Sequence, residues 1–191
     1  MIWMILGLVL FLGMHSVRVG AEGQRGRFIA RHGERTWKGL YSLLSALGLV
    51  LIVWGFGQAR QQPVVLWATP TWTRHLAALL NLVAFILLVA AEVPRNALKS
   101  RLHHPMLLGV KVWAFAHLLA NNTLAEMLLF GSFLLWAALA FRAARGRDRA
   151  AGTVYPAGTV VGTVITVSLG VAAFALFALW GHKALIGVRP F

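Results

Sequence analysis

The sequence predicts an all-α protein, a bundle of about six membrane-spanning helices. Hydrophobic residues make up 59% of the 191 residues and charged residues only 12%, whereas a soluble domain carries about 25% charged residues. The charges also fall in short blocks between long apolar stretches. Because this distribution leaves no stretch for a sizeable soluble domain, we interpret residues 1–191 as one membrane domain.

Six apolar stretches supply the predicted spans, although the first and the fourth are short for a hydrocarbon core of about 30 Å. In the first, the positive charges follow the apolar residues instead of preceding them, so we expect a retained span and not a cleaved signal peptide. We expect residues 20–38 to form a polar loop and residues 121–123 a tight turn. The predicted spans are residues 2–17, 39–57, 75–93, 106–120, 124–141 and 159–180.

The net charge of +13 is distributed unevenly along the chain. Most Lys and Arg residues lie in residues 18–38, 95–101 and 142–149, next to apolar stretches. A nucleic-acid-binding domain displays its charge on a soluble face, so we expect a lipid bilayer and no nucleic acid as the partner. The positive-inside rule predicts that these three segments are cytoplasmic and that both termini lie outside, in a bacterial-type inner membrane.

Few residues remain that could carry chemistry. Cysteine is absent and only five residues are acidic, which argues against two-carboxylate and two-metal mechanisms. Glu22, Glu34 and Asp148 lie in the basic segments, where we expect them to balance charge. The scattered glycines match neither a phosphate-binding loop nor a dinucleotide fingerprint.

Histidine is therefore the main candidate. The fourth span carries His104, Lys111 and His117 among apolar residues. A basic side chain at the centre of a membrane helix costs about 2.5–3.5 kcal/mol on insertion scales, so these side chains need partners. Imidazole in a dry site is either a hydrogen-bonded packing residue or a metal ligand. Haem iron fits best, since non-haem iron usually adds a carboxylate. The histidines in or beside apolar spans are His15, His75, His104, His117 and His182.

Helical spacing separates the polar residues of this span into two faces. His104 and Lys111 are seven residues apart and share one face, whereas His117 shares another with Trp113. Lys111 could pair with a haem propionate or extend towards the interface, and Trp113 could stack on a cofactor or pack in the core. Glu126 could accept the second imidazole N–H of His117, or it could lie at a helix N-terminus as an interfacial carboxylate.

Three stretches resemble the NnrU family, which takes its name from genes linked to nitrite and nitric oxide reduction. The resemblance covers nearly the whole chain, and its most specific part is in the fourth span. The family is similar to the plant zeta-carotene isomerase, a membrane enzyme that uses haem b. The matching stretches are Phe11-Leu-Gly-Met-His15-Ser16, Gly39-Leu-Tyr41-Ser-Leu-Leu-Ser45, and His104-Pro105 with Gly109-Val-Lys111-Val-Trp113-Ala-Phe-Ala-His117-Leu-Leu-Ala-Asn121.

The resemblance implies a haem b whose iron is held by His15 and His117, with His104 matching the histidine before proline. The expected depths of these histidines in the membrane favour different pairs of iron ligands. His15 lies near the cytoplasmic end of its span, whereas His117 lies about 20 Å beyond His104 at 1.5 Å per residue. Because two axial ligands of one iron must lie at similar depth, His15 suits His104 and His117 suits His75. Both readings remain open at the level of the sequence.

The implied function is a haem-dependent cis-trans isomerase or redox enzyme acting on a lipophilic, carotenoid-like substrate. The plant enzyme is described as exchanging one haem ligand for a cysteine on reduction, and this chain has no cysteine. The alternative is a non-catalytic accessory or haem-handling protein for nitrite and nitric oxide respiration. No internal repeat suggests an inverted-repeat transporter.

Overall fold

A computed structural model describes residues 1–190, and most of them are helical. The prediction of an all-α membrane protein is confirmed. The helices are α1 (Ile2–Gly20), α2 (Glu22–His32), α3 (Glu34–Ala59), α4 (Thr71–Glu92), α5 (Ala97–Leu102), α6 (Pro105–Ala120), α7 (Leu124–Ala151), α8 (Val160–Leu176) and α9 (His182–Ile186), with a π-helical turn (Phe177–Gly181) joining α8 to α9.

Five helices are long and apolar enough to cross a membrane: α1, α3, α4, α7 and the continuous segment from α8 to α9. Helix α6 is apolar but has only 16 residues, about 24 Å at 1.5 Å per residue, which is less than the hydrocarbon thickness of about 30 Å. Large apolar side chains such as Val9, Val53 and Leu135 are 64–68% exposed. A surface of this kind is typical of helices that contact lipid.

The helices pack in the spatial order α3, α1, α7, α6, α4, α8. One end of this bundle contains α2, α5 and the C-terminal part of α7. We call it the basic end because most of the Lys and Arg residues are there. The segment 60–70 and the turn 121–123 lie at the opposite end. This arrangement separates the two ends of α6 by the length of the bundle.

Glycine permits the closest of the helix contacts, between α1 and α3. A Cβ atom on Gly48 would lie 2.8 Å from the backbone nitrogen of Phe11, and one on Gly7 would lie 2.6 Å from that of Ile52. Small residues allow membrane helices to approach in this way.

The prediction of a polar loop at residues 20–38 was wrong, because α2 and the first turn of α3 occupy it. Its charges form helical pairs: Glu22 contacts Arg18 at 3.5 Å and Arg25 at 2.7 Å, and Glu34 contacts Lys38 at 2.9 Å. Such pairs three and four residues apart stabilise a polar helix. Hydropathy detects only the apolar part of a helix, so it missed these turns and also the extension of α7 beyond residue 141.

At the opposite end, the segment 60–70 is tied to the predicted turn between α6 and α7. The Leu66 amide donates to the Asn122 carbonyl at 2.8 Å, and the Leu124 amide donates to the Val64 carbonyl at 2.9 Å. The Asn122 side chain also donates to the Trp67 carbonyl at 2.7 Å. These bonds hold the segment against the end of the bundle.

Candidate functional site

A cavity of about 680 Å³ opens at this end, between α4, α6, the start of α7 and the segment from α8 to the tail. We call it the His117 cavity. Its volume lies within the range of about 300–1,000 Å³ that small-molecule and cofactor sites occupy. Its lining combines apolar rings, two imidazoles and several cationic side chains.

Aromatic side chains line the part of the cavity that lies deeper between the helices. The Phe85 ring on α4 lies 5.9 Å from Phe174 and 5.6 Å from Phe177, and Trp113 on α6 completes this set. Arg74 lies eleven residues before Phe85 on the same helix, about 16 Å away along its axis. The cavity therefore extends roughly three helical turns from a charged rim to an apolar interior. The cationic lining residues are Arg60, Arg74 and Arg189.

Two histidines, His117 and His182, line this cavity. Nδ1 of His117 donates to the Trp113 carbonyl at 2.8 Å, and Nδ1 of His182 donates to the Val188 carbonyl at 2.7 Å. A carbonyl can only accept, so Nδ1 carries the hydrogen in both rings. In the neutral ring the lone pair then lies on Nε2, and within residues 1–190 neither Nε2 makes a hydrogen bond. Metal-binding imidazoles commonly show this arrangement, and His15 and His32 make the same Nδ1 bond to a carbonyl.

Of the two readings of Glu126, the hydrogen bond to His117 is not formed. Oε2 of Glu126 accepts from the Thr123 amide at 3.0 Å and from the Thr123 hydroxyl at 2.7 Å, which forms a capping box at the start of α7. The alternative reading of Glu126, as a carboxylate at a helix N-terminus, is therefore the one that the structure supports. The carboxylate lines the cavity, but its hydrogen bonds stabilise the helix.

His15 lies in a different environment, between α1, α3 and α7. Its ring stacks on Phe11 with centroids 4.2 Å apart and lies 5.2 Å from Tyr41 and 5.9 Å from Trp136. Its Nδ1 donates to the Phe11 carbonyl at 2.7 Å. The side chain is half-buried and does not line the His117 cavity.

A row of aromatic rings separates His15 from His117. Phe11, which stacks on His15, lies 5.9 Å from Phe133. Phe133 lies 5.5 Å from Trp113, and Trp113 lies 5.2 Å from His117. The structure thus does not bring together the two histidines that the family resemblance pairs.

The depth-based alternatives are also kept apart. His75 on α4 is exposed and does not line the cavity, although its neighbour Arg74 does. His104 lies at the basic end and has no contact with His15. Its Nε2 donates to the Asp148 carboxylate at 2.8 Å.

Asp148 and Tyr155 complete a polar cluster around His104, which we call the His104 cluster. The Tyr155 hydroxyl donates to Asp148 at 3.0 Å, and its ring lies 4.2 Å from that of His103. Arg145 lies 3.9 Å from the same carboxylate. Burial, together with the hydrogen bond to Asp148, raises the pKa of the Tyr155 hydroxyl. The cluster holds the loop between α7 and α8 against the start of α6.

Lys111 belongs to the same side of α6, as its spacing predicted. Its ammonium lies 5.3 Å from the centre of the Phe141 ring, and that ring lies 6.2 Å from His104. A cation over an aromatic face is stabilised by the ring quadrupole. Lys111 does not line the His117 cavity, whereas Trp113 does.

The main site residue that the sequence reasoning did not assign is His182. It was noted as a histidine at the end of an apolar span, but hydropathy alone does not show which way it points. Within residues 1–190 no group of three or more His, Asp or Glu side chains could hold a metal ion by itself. The cavity offers two imidazoles instead.

The fold and this cavity define a multi-pass helical membrane protein with a cavity that opens at one end of its bundle. A family model described as NnrU protein matches residues 3–190. The chain therefore belongs to the NnrU family. No curated protein and no solved structure matches it.

Proposed function

We propose that this protein binds haem b in the His117 cavity, with His117 as an iron ligand. The observation that carries the proposal is the free Nε2 of His117 in a cavity of about 680 Å³ with aromatic walls and a cationic rim. Haem supplies four equatorial nitrogens of its own, so one or two protein ligands suffice. This requirement matches a site with imidazoles but no cluster of three ligands within residues 1–190.

The other lining residues fit the two chemical parts of haem. Phe85, Phe174 and Phe177 line the cavity and would present apolar surface to a porphyrin, and Arg74 and Arg189, which also line it, would bind the propionates. Arginine is suited to carboxylates because its guanidinium offers paired donors. The bond from Nδ1 of His117 to the Trp113 carbonyl fixes the orientation of the ring, as such bonds do for metal-binding imidazoles.

The activity that we propose is a redox or cis-trans isomerisation reaction on a lipophilic, carotenoid-like substrate. Bound haem would supply the redox-active iron for such chemistry. The chain contributes aromatic side chains that line the cavity and an imidazole held by a hydrogen bond, and its apolar helices suit the bilayer in which such a substrate is dissolved. A second candidate is a non-catalytic accessory or haem-handling role in nitrite and nitric oxide respiration. The absence of cysteine favours this second candidate, since the plant isomerase is described as exchanging a ligand for cysteine.

The charge distribution orients this proposal in the membrane. The basic end carries most Lys and Arg residues, so the positive-inside rule places it in the cytoplasm of a bacterial-type cell. Both termini and the mouth of the His117 cavity then lie on the outer side of the inner membrane.

Absorption spectra of detergent-purified protein from haem-replete cells test the haem proposal. We expect a Soret band that His117→Ala reduces severalfold, while His75→Ala, on an exposed residue outside the cavity, leaves it unchanged. The same absorption spectra of His15→Ala test whether His15 is an iron ligand together with His117, as the resemblance implies. A colourless preparation that also fails to take up added haemin would contradict haem binding.

Two measurements separate the candidate functions. Haem-loaded protein incubated with a cis-carotenoid should yield the trans isomer if it is an isomerase. An accessory role instead predicts no product, and lower nitric oxide reductase activity in cells from which the gene is deleted.

A further inference from the structure

The segment from α8 to α9 contains one irregular turn, which lies directly before His182. The helix is π-helical over Phe177–Gly181 and α-helical again over His182–Ile186. A π-helical turn contains one residue more than an α-helical turn, and such turns are frequent at functional sites. One extra residue rotates everything after it by about 100° relative to a continuous α-helix. The π turn therefore determines the direction in which His182 points.

Local contacts fix the His182 ring after this turn. The chain reverses at Gly187, whose φ of +87° favours glycine, and this brings the Val188 carbonyl to Nδ1 of His182 at 2.7 Å. The Phe177 ring packs edge-on at 5.8 Å. The Arg60 guanidinium donates to the Ile186 carbonyl at 2.8 Å and ties the same hairpin to the end of α3.

His182 and His117 thus form a matched pair. They lie on different helices, line one cavity and each direct Nδ1 to a carbonyl, which in the neutral ring leaves the lone pair on Nε2. The Glu126 carboxylate, which also lines the cavity, accepts hydrogen bonds within its capping box. We propose that His182 is the second residue that would bind the haem iron, together with His117. This inference rests on the haem proposal above, and it assigns to His182 the role that the family resemblance gives to His15.

The ligand field of the bound haem tests this assignment. Two imidazole ligands produce a six-coordinate, low-spin ferric haem, and we expect the purified protein to show this absorption and electron paramagnetic resonance signature. His182→Ala should retain haem but lose the low-spin signal in favour of a high-spin, five-coordinate one. Added imidazole should restore the low-spin signal by entering the vacated position. The neighbouring Lys183→Ala should match the unaltered protein.

A second variant tests the role of the π turn without removing the imidazole. Leu179 is 74% exposed, so its deletion shortens the turn by one residue at little cost in packing. We expect the deletion to produce the same high-spin spectrum as His182→Ala, although His182 is still present.

The outcomes distinguish this inference from the haem proposal. If the unaltered protein binds no haem, both fail. If it binds low-spin haem and His182→Ala leaves the spectrum unchanged while His15→Ala makes it high-spin, only the assignment of His182 is overturned. A high-spin spectrum in the unaltered protein also overturns it.

Discussion

The contact between α1 and α3 gives a quantitative test of the helix arrangement. Gly48 faces α1 so closely that an added Cβ would lie 2.8 Å from the Phe11 backbone nitrogen and 3.0 Å from its Cα. Ordinary contacts of a Cβ begin at 3.4 Å, and backbone atoms cannot rotate away as side chains do. Gly48→Ala must therefore push the two helices apart.

Gly57, on the same helix, is a matched control because nothing lies within 4 Å of its Cβ position. Replacing glycine by alanine inside a helix stabilises it by about 0.5–1 kcal/mol, and both variants share this gain. Overpacking costs about 1–3 kcal/mol, and only Gly48→Ala incurs that cost. The two variants should thus differ by about 1–3 kcal/mol, or about 5- to 150-fold in the unfolding equilibrium constant.

Unfolding in mixed detergent micelles, followed by circular dichroism as the fraction of denaturing detergent rises, measures this difference. We expect Gly57→Ala to unfold at or above the midpoint of the unaltered protein and Gly48→Ala to unfold below that of Gly57→Ala. Equal midpoints for the two variants would refute the close packing of α1 on α3.

Two further predictions concern the two ends of the bundle. In a Tyr41→Phe background, an ultraviolet absorbance titration should show the Tyr155 phenol titrating above its ordinary pKa of 10.0. Because the pKa is higher in the folded protein than in the unfolded chain, the hydroxyl contributes its full stabilisation below the unfolded pKa. This stabilisation is lost as the pH rises through the folded pKa. A midpoint at or below the ordinary value would contradict the hydrogen bond to Asp148. At the cavity rim, Arg189→Gln should speed haem transfer to apomyoglobin by up to about fivefold. This factor corresponds to the loss of an exposed ion pair of about 0.2–1 kcal/mol. The control Lys111→Met, which lies outside the cavity, should leave the transfer rate unchanged. Equal transfer rates for both variants would show that Arg189 does not bind a propionate.

Hydropathy predicted the helical class and the approximate positions of the spans, because lipid imposes a long apolar stretch on every crossing helix. Helical spacing also placed Lys111 with His104 and Trp113 with His117 correctly, since positions within one regular helix follow from its period.

Other features depend on information that no single segment contains. The contact of His104 with Asp148 joins residues 44 positions apart, and sequence reasoning assigned Asp148 only to charge balance. The direction of His182 depends on a π turn that breaks the helical period within an apolar stretch. Hydrophobic periodicity cannot reveal such a turn when all the surrounding residues are apolar. Helix α2 was missed because it has no apolar stretch that hydropathy could detect, and none of its residues is buried.

The histidines at the two ends of α6 differ in which ring nitrogen makes a hydrogen bond. At the basic end, Nε2 of His104 faces the Asp148 carboxylate at 2.8 Å. Because a carboxylate accepts, Nε2 must carry the hydrogen, and a protonated nitrogen cannot bind iron. At the opposite end, His117 and His182 use Nδ1 for their hydrogen bonds, and in the neutral ring this leaves the lone pair on Nε2. The bond from His104 to Asp148 holds the loop after α7 against the start of α6, whereas within residues 1–190 Nε2 of His117 makes no hydrogen bond.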